Sequence, residues 1–99
     1  MNLQMMAENG PKAVTLLKAM ANERRLFILC LLLDGELSVG QIAEQLELSQ
    51  SALSQHLGWL RKDELVSTRK ESQTVYYSLS SLEVKSVIQL LHDLYCPKN

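Results

Sequence analysis

A chain of 99 residues argues for one domain, near the size at which a single core leaves only a modest surplus over conformational entropy. Hydrophobic residues at 46% and charged residues at 21% are ordinary globular values and exclude a disordered or fibrous chain. The formal net charge of -1 offers no global attraction to a polyanion, so a nucleic-acid partner would have to be held by a local patch. The opening MNLQMMAENGPK has no continuous apolar signal core, and the longest apolar run, Leu26 to Leu33, is far below the roughly 20 residues of a membrane span. A cytoplasmic location without a membrane partner is the expectation.

The first ten residues carry little pattern and are expected to form a flexible tail. Pro11 suits a first helical turn, and Ala13, Val14, Leu16, Leu17 and Met20 recur at helical spacing after it, predicting a helix from Pro11 to Met20. Asn22 can cap a second helix, whose run RLFILCLLLD is apolar nearly all round and describes a central element stopped by Asp34-Gly35. Ser38 caps a short helix through Leu46, with Val39, Ile42, Ala43 and Leu46 on its inner stripe, and Ser49 caps a longer one ending near Asp63. Only Glu47 and Leu48 separate these two helices, which forces a sharp crossing and predicts a helix-turn-helix.

LVSTRK and TVYYSL follow as β-prone runs separated by Glu71-Ser72-Gln73 and are expected to pair as a hairpin. Val84, Val87, Ile88, Leu91, Leu94 and Tyr95 then fit a final amphipathic helix that starts from a Ser80-Ser81 cap and ends at Pro97. The predicted class is mainly α with a small β-hairpin wing, in the order helix, helix, helix, helix, strand, strand, helix. Residues 1–99 thus form a single winged helix-turn-helix domain.

On a helical wheel, Leu53, Leu57, Leu60 and His56 share one side of the Ser49-capped helix, and Ser51, Gln55, Gly58 and Lys62 lie opposite. A flat, hydrogen-bonding surface of this kind suits the major groove of double-stranded DNA, where Gln pairs with adenine edges and Ser serves donors or acceptors. Gln50, Ser51, Ser54, Gln55 and His56 are the candidate base contacts. His56, on the inner side, also reads as a packing residue. Ser38, Arg61, Lys62, Arg69, Lys70 and Gln73 are the candidate contacts to the DNA backbone, the basic ones forming the patch that phosphates require. Asp34, Glu36, Glu44 and Glu47 lie upstream and hide this patch in the net charge. No cofactor or catalysis is expected. A thiol enzyme built on Cys30 is weak, because neither His56 nor His92 has a visible acidic orienter. A protein-interaction module and a metal-responsive repressor are the alternatives to a DNA-binding regulator.

KAMANERRLFIL, ELSVGQIAEQLELSQSALSQHLGWLRKDELV and RKESQTVYYSL together resemble the ArsR/SmtB family of bacterial winged-helix repressors over almost the whole chain. LSQSALSQHL, KESQTVYYSLS and the terminal LLHDLYC further resemble a member that activates toxin genes. The resemblance implies a homodimer built on the first and last helices, with Leu16, Leu17, Val84, Val87, Ile88, Leu91 and Leu94 at the interface. It also implies a two-fold operator, control of virulence genes, and competition with a nucleoid silencing protein. Metal-sensing relatives place cysteines where Ser38 and Gly40 stand here, and pair Asp with His on the last helix where His92 and Asp93 are merely adjacent, so no metal is expected. Cys30 and Cys96 match the positions that persulfide-sensing relatives join by a sulfur bridge, implying modulation by oxidation or persulfidation. Glu47 stands in place of a common turn glycine, and the wing tip lacks the usual Gly-Arg.

Overall fold

A computed structural model describes residues 2–96. Helix α1 spans Leu3–Met20 and is capped by Asn2, whose side-chain oxygen accepts from the Met5 amide at 3.1 Å. The expected tail is therefore helical from Leu3 onward. Pro11 sits inside the helix rather than in its first turn, at the cost of one backbone hydrogen bond. Asn22 caps α2, Glu23–Leu31, by accepting from the Arg25 amide at 3.1 Å. The chain then tightens into a 3-10 turn, Leu32–Asp34, and leaves it through Gly35 at φ 134°, a conformation that side chains beyond glycine rarely adopt.

Next comes an element that the sequence reading lacks: β1, Leu37–Ser38, a two-residue strand. It pairs antiparallel with the second strand of the hairpin, Leu37 opposite Tyr77 and Ser38 opposite Tyr76. Ser38 also caps α3, Val39–Leu46, through a reciprocal capping box with Gln41. Ser49 caps α4, Gln50–Lys62, accepting from the Ala52 amide at 3.2 Å. The hairpin is β2, Val66–Glu71, and β3, Thr74–Leu79, in a sheet of order β1-β3-β2. Its turn is tighter than expected because Glu71 already pairs with Thr74, leaving Ser72 at φ 55° and Gln73. Helix α5, Leu82–Tyr95, starts from Ser81, and its expected stop at Pro97 lies outside the described residues.

Every layer contributes to one core. Ile28 and Leu29 of α2, Ile42 of α3, Leu53, Leu57 and Leu60 of α4, Val66 and Leu79 of the hairpin, and Val84 and Ile88 of α5 are all buried together. No polar side chain is buried among the described residues, so the core selects orientation through shape and apolar area alone. Three fully buried leucines fix which way α4 faces. Glu47, the C-cap of α3, turns the chain toward it at φ 54° and ψ 39°, the left-handed region that disfavours residues with a Cβ.

Glu47→Gly should therefore stabilise the fold by about 0.5–1 kcal/mol, since relief of the left-handed conformation exceeds the added chain entropy. Urea unfolding followed by circular dichroism would show it as a higher midpoint; a lower midpoint would mean that Glu47 makes a contribution beyond its backbone angle.

Candidate nucleic-acid interface

With Leu53, Leu57 and Leu60 inward, the remaining side chains of α4 fall where the core leaves them. Gln50, Ser51, Ser54 and Gln55 are all exposed in the first half of the helix. The Ser49 and Ser51 hydroxyls lie 3.3 Å apart beside the helix start. At Gly58 an added Cβ would meet nothing within 4 Å, so this turn presents bare backbone to its surroundings. The result is an uncharged donor and acceptor strip of about two helical turns.

His56 does not belong to that strip. It is half-buried, its ring lies 5.8 Å from Trp59 in a T-shaped arrangement, and its Nδ1 is buried without a hydrogen-bond partner. Burial, and after it the positive charges of Arg25 and Arg24, hold its imidazole below the usual histidine range and hence neutral. Arg25 lies over the Trp59 ring at 5.3 Å, so α2 and α4 are joined at this edge by a cation-π contact. Arg25 does not figure in the sequence reading of the site, because helical spacing says nothing about which side chain of a neighbouring helix stacks above.

The basic residues divide into two groups. Arg61 and Lys62, exposed in the last turn of α4, and Lys70, exposed on β2, make no ion pair among the described residues. Arg69 is different. Its guanidinium donates to both carboxylate oxygens of Glu36, at 2.5 and 3.2 Å, and to Glu71 at 2.7 Å, while lying over the Tyr76 ring at 4.6 Å. Hydrogen bonding to Glu36 and then Glu71 raises its pKa, and the same bond to Arg69 holds the Glu36 carboxyl below the usual range. Arg69, read from the sequence as a backbone contact, is already engaged with two carboxylates and braces the wing to the segment before α3. Glu36 was counted only as charge that masks the patch, yet it is the partner that occupies Arg69.

Ser38 has its oxygen committed to the α3 cap, but a hydroxyl that accepts can still donate. Gln73 is exposed at the wing tip. Toward the opposite face, α1 and α5 leave Leu17 and Leu94 exposed, whereas Val84 and Ile88 are buried in the protomer's own core and are corrected as interface residues. Leu16, Val87 and Leu91 are half-buried, the first two packed against the core. A single helical stripe cannot tell an inner face from an outer one when both are apolar. Val14, Leu82, Leu90 and Tyr95, which the sequence reading did not assign to the interface, are further exposed apolar side chains of the same two helices.

Cys30, half-buried on α2, and Cys96, exposed after α5, are both free and line one cavity of about 350 Å³ with Leu33, Asp34, Gln89, His92 and Asp93. Burial, together with the neighbouring Cys96 sulfur, pushes the Cys30 thiol up. His92 Nδ1 lies 3.8 Å from Asp93 Oδ1, and Gln89 Nε2 donates to that same carboxylate oxygen at 2.8 Å. Asp93 is thus near His92 but makes no hydrogen bond to its Nδ1, which is buried without a partner. Among the described residues no three or more His, Cys, Asp or Glu side chains are grouped to hold a metal ion, and no helix is long and apolar enough to cross a membrane.

A helix-turn-helix with an exposed polar second helix and a braced β-wing defines a class, and residues 22–68 match the bacterial regulatory protein arsR family. The chain belongs to this family and is a DNA-binding transcription regulator. It is 72% identical over 99 residues to the transcriptional activator HlyU of Vibrio cholerae, spanning 100% of this chain and 92% of that one. The solved structure of reduced HlyU from Vibrio cholerae superposes with a TM-score of 0.89 at 72% identity, over 94% of this chain and 98% of the other. The homodimeric winged helix-turn-helix DNA-binding domain of Mb0332 from Mycobacterium bovis superposes with a TM-score of 0.80 at 32% identity, over 89% and 82% of the two chains.

The two groups of cations separate in a salt titration. Lys70→Ala should weaken binding to every DNA sequence alike and reduce the salt slope by about one unit per protomer. Arg69→Ala should leave that slope nearly unchanged while loosening the wing, seen as faster amide exchange in β2 and β3. Equal slope changes for both would show that Arg69 leaves its carboxylates for phosphate.

Proposed function

We propose that this protein is a homodimer that reads a two-fold operator through the exposed strip of α4, with Gln50, Ser51, Ser54 and Gln55 as base contacts. The observation that carries this reading is the uncharged, exposed first half of α4, held outward by three buried leucines. Amide and hydroxyl groups at that position match the donor and acceptor code of the major groove, and the free cations Arg61, Lys62 and Lys70 flank the strip for phosphates.

Dimerisation is supported by where apolar surface remains. Of the eleven large apolar side chains exposed among the described residues, nine lie on α1 or α5: Leu3, Met5, Met6, Val14, Leu17, Leu82, Leu90, Leu94 and Tyr95. Such a concentration on two helices marks an interaction face. The similarity to the homodimeric domain of Mb0332 supports a second copy as its occupant. The similarity to an activator supports activation, with toxin or virulence genes as targets and displacement of a silencing nucleoid protein as the means. Occupancy of the operator is set by the thiol pair: a sulfur link between Cys30 and Cys96, formed by hydroperoxide or persulfide, ties the end of α5 to α2 and alters the spacing of the two recognition helices.

Gln55→Ala should cost about 1–3 kcal/mol on the selected operator and almost nothing on random DNA, measured by competitive fluorescence anisotropy. An equal loss on both would remove Gln55 from the base contacts. Leu90→Glu combined with Leu94→Glu should yield a monomer by sedimentation velocity at micromolar concentration; an intact dimer would place the interface elsewhere.

A further inference from the structure

We propose that His92 is the proton acceptor for the Cys30 thiol, which makes the α5 imidazole the group that sets how fast the Cys30 to Cys96 link forms. This rests on the thiol-switch reading above and adds the acid-base group that the switch requires. The thiolate is the form that reacts, and a half-buried thiol pushed up by its surroundings is almost wholly protonated at neutral pH. A base inside the cavity removes that obstacle.

His92 lines the same cavity as both sulfurs, and it precedes Cys96 by four residues, one helical turn along α5. Its Nδ1 is buried and has no hydrogen-bond partner, a costly condition for a ring nitrogen that water could otherwise satisfy. The titratable and charged groups around it come from two packed elements: Cys30 and Asp34 from α2 and the turn after it, and Asp93 and Cys96 from α5 and its end. Asp93, whose Oδ1 accepts from the Gln89 amide, lies with that oxygen 3.8 Å from His92 Nδ1.

The chemistry balances with a hydroperoxide as the two-electron oxidant. Cys30 gives its proton to His92, and the thiolate attacks the peroxide oxygen. The O–O bond breaks, a sulfenic acid forms on Cys30, and the departing hydroxide takes the proton back from the imidazolium as water. Cys96 then attacks the Cys30 sulfur; the S–O bond breaks, the disulfide forms, and a second water leaves with the Cys96 proton. If Cys96 meets the oxidant first, Cys30 is the attacking thiol of the second step and its proton follows the same route to His92.

His92→Gln keeps a polar side chain and removes the base. Link formation with hydrogen peroxide, followed by mass spectrometry on the full-length reduced protein, should slow at least tenfold at neutral pH, since a positioned base typically contributes 10²–10⁴-fold. The variant should recover its rate only as pH rises toward the thiol range, where the Cys30 thiolate forms without a base. Equal rates and profiles for wild type and variant would overturn the role of His92. Absence of any link in the wild type would instead overturn the thiol switch itself. Asp93→Asn, which leaves the imidazole in place, separates folding from chemistry: it should keep link formation well above the His92→Gln rate, and a loss as large as that of His92→Gln would overturn the role of the imidazole as base.

Discussion

Leu53, Leu57 and Leu60 bury one face of α4 against α2, α3 and the hairpin, and the direction of the opposite face follows from that packing. A recognition helix is useful only if its polar face is held steady, because each base-edge hydrogen bond depends on placement at the scale of tenths of an ångström to an ångström. Here the steadiness comes from three aliphatic side chains with no exposed surface, from the Ser49 cap at the helix start, and from the left-handed Glu47 that sets the crossing with α3. No buried polar side chain competes for their arrangement.

Electrostatics refine what packing sets. The wing is braced before any DNA arrives, since Arg69 is bound by Glu36 and Glu71 and stacked on Tyr76. These are surface ion pairs, with half or more of the Arg69 and Glu71 side chains in water, so their value lies in geometry more than in stability. The bracing links the segment before α3 to the wing, whose strand β2 packs on α4. A net charge of -1 is compatible with DNA binding for this reason: part of the acidic complement serves as internal scaffolding, while Arg61, Lys62 and Lys70 are exposed and make no ion pair among the described residues.

The order of helices and the hairpin were legible in the sequence because caps and periodicity are local. Asn22, Ser38, Ser49 and Ser81 each cap the helix that follows, as their positions before apolar periodic runs indicated. What could not be read was either non-local or two-faced. The strand Leu37–Ser38 exists only through its partner β3, forty residues away in the chain and close in space. The first ten residues looked like a tail because Pro11 reads as a helix start, yet Asn2 provides a cap and the helix tolerates the missing amide. Val84 and Ile88 were assigned to an outer face, but a helix with apolar residues on two sides offers no local sign of which side its own protomer claims. Arg69 was taken as a free cation because Glu36 stands 33 residues away. The cavity shared by Cys30, His92 and Cys96 belongs to the same group: α2 and α5 are distant in sequence, and only the packing of one on the other brings the two thiols and the imidazole together.

Two surfaces thus have separate chemistry on one small frame, an exposed polar strip on α4 and a cavity between α2 and α5 that both thiols line. They are joined through the core, since α2 packs on both helices. The claim on which the rest depends is that the exposed strip of α4 reads bases in the major groove as one half of a symmetric pair. Hydroxyl-radical footprinting of the reduced protein on a site selected from genomic fragments, with methylation interference on the same site, tests it directly. The expected result is two protected patches on one face of the duplex, symmetric about a dyad and about one helical turn, 10–10.5 base pairs, or a multiple of it apart, with interference at purines that vanishes when Gln50, Ser51, Ser54 and Gln55 are replaced by Ala. A single asymmetric footprint, or purine interference that survives those replacements, would contradict it.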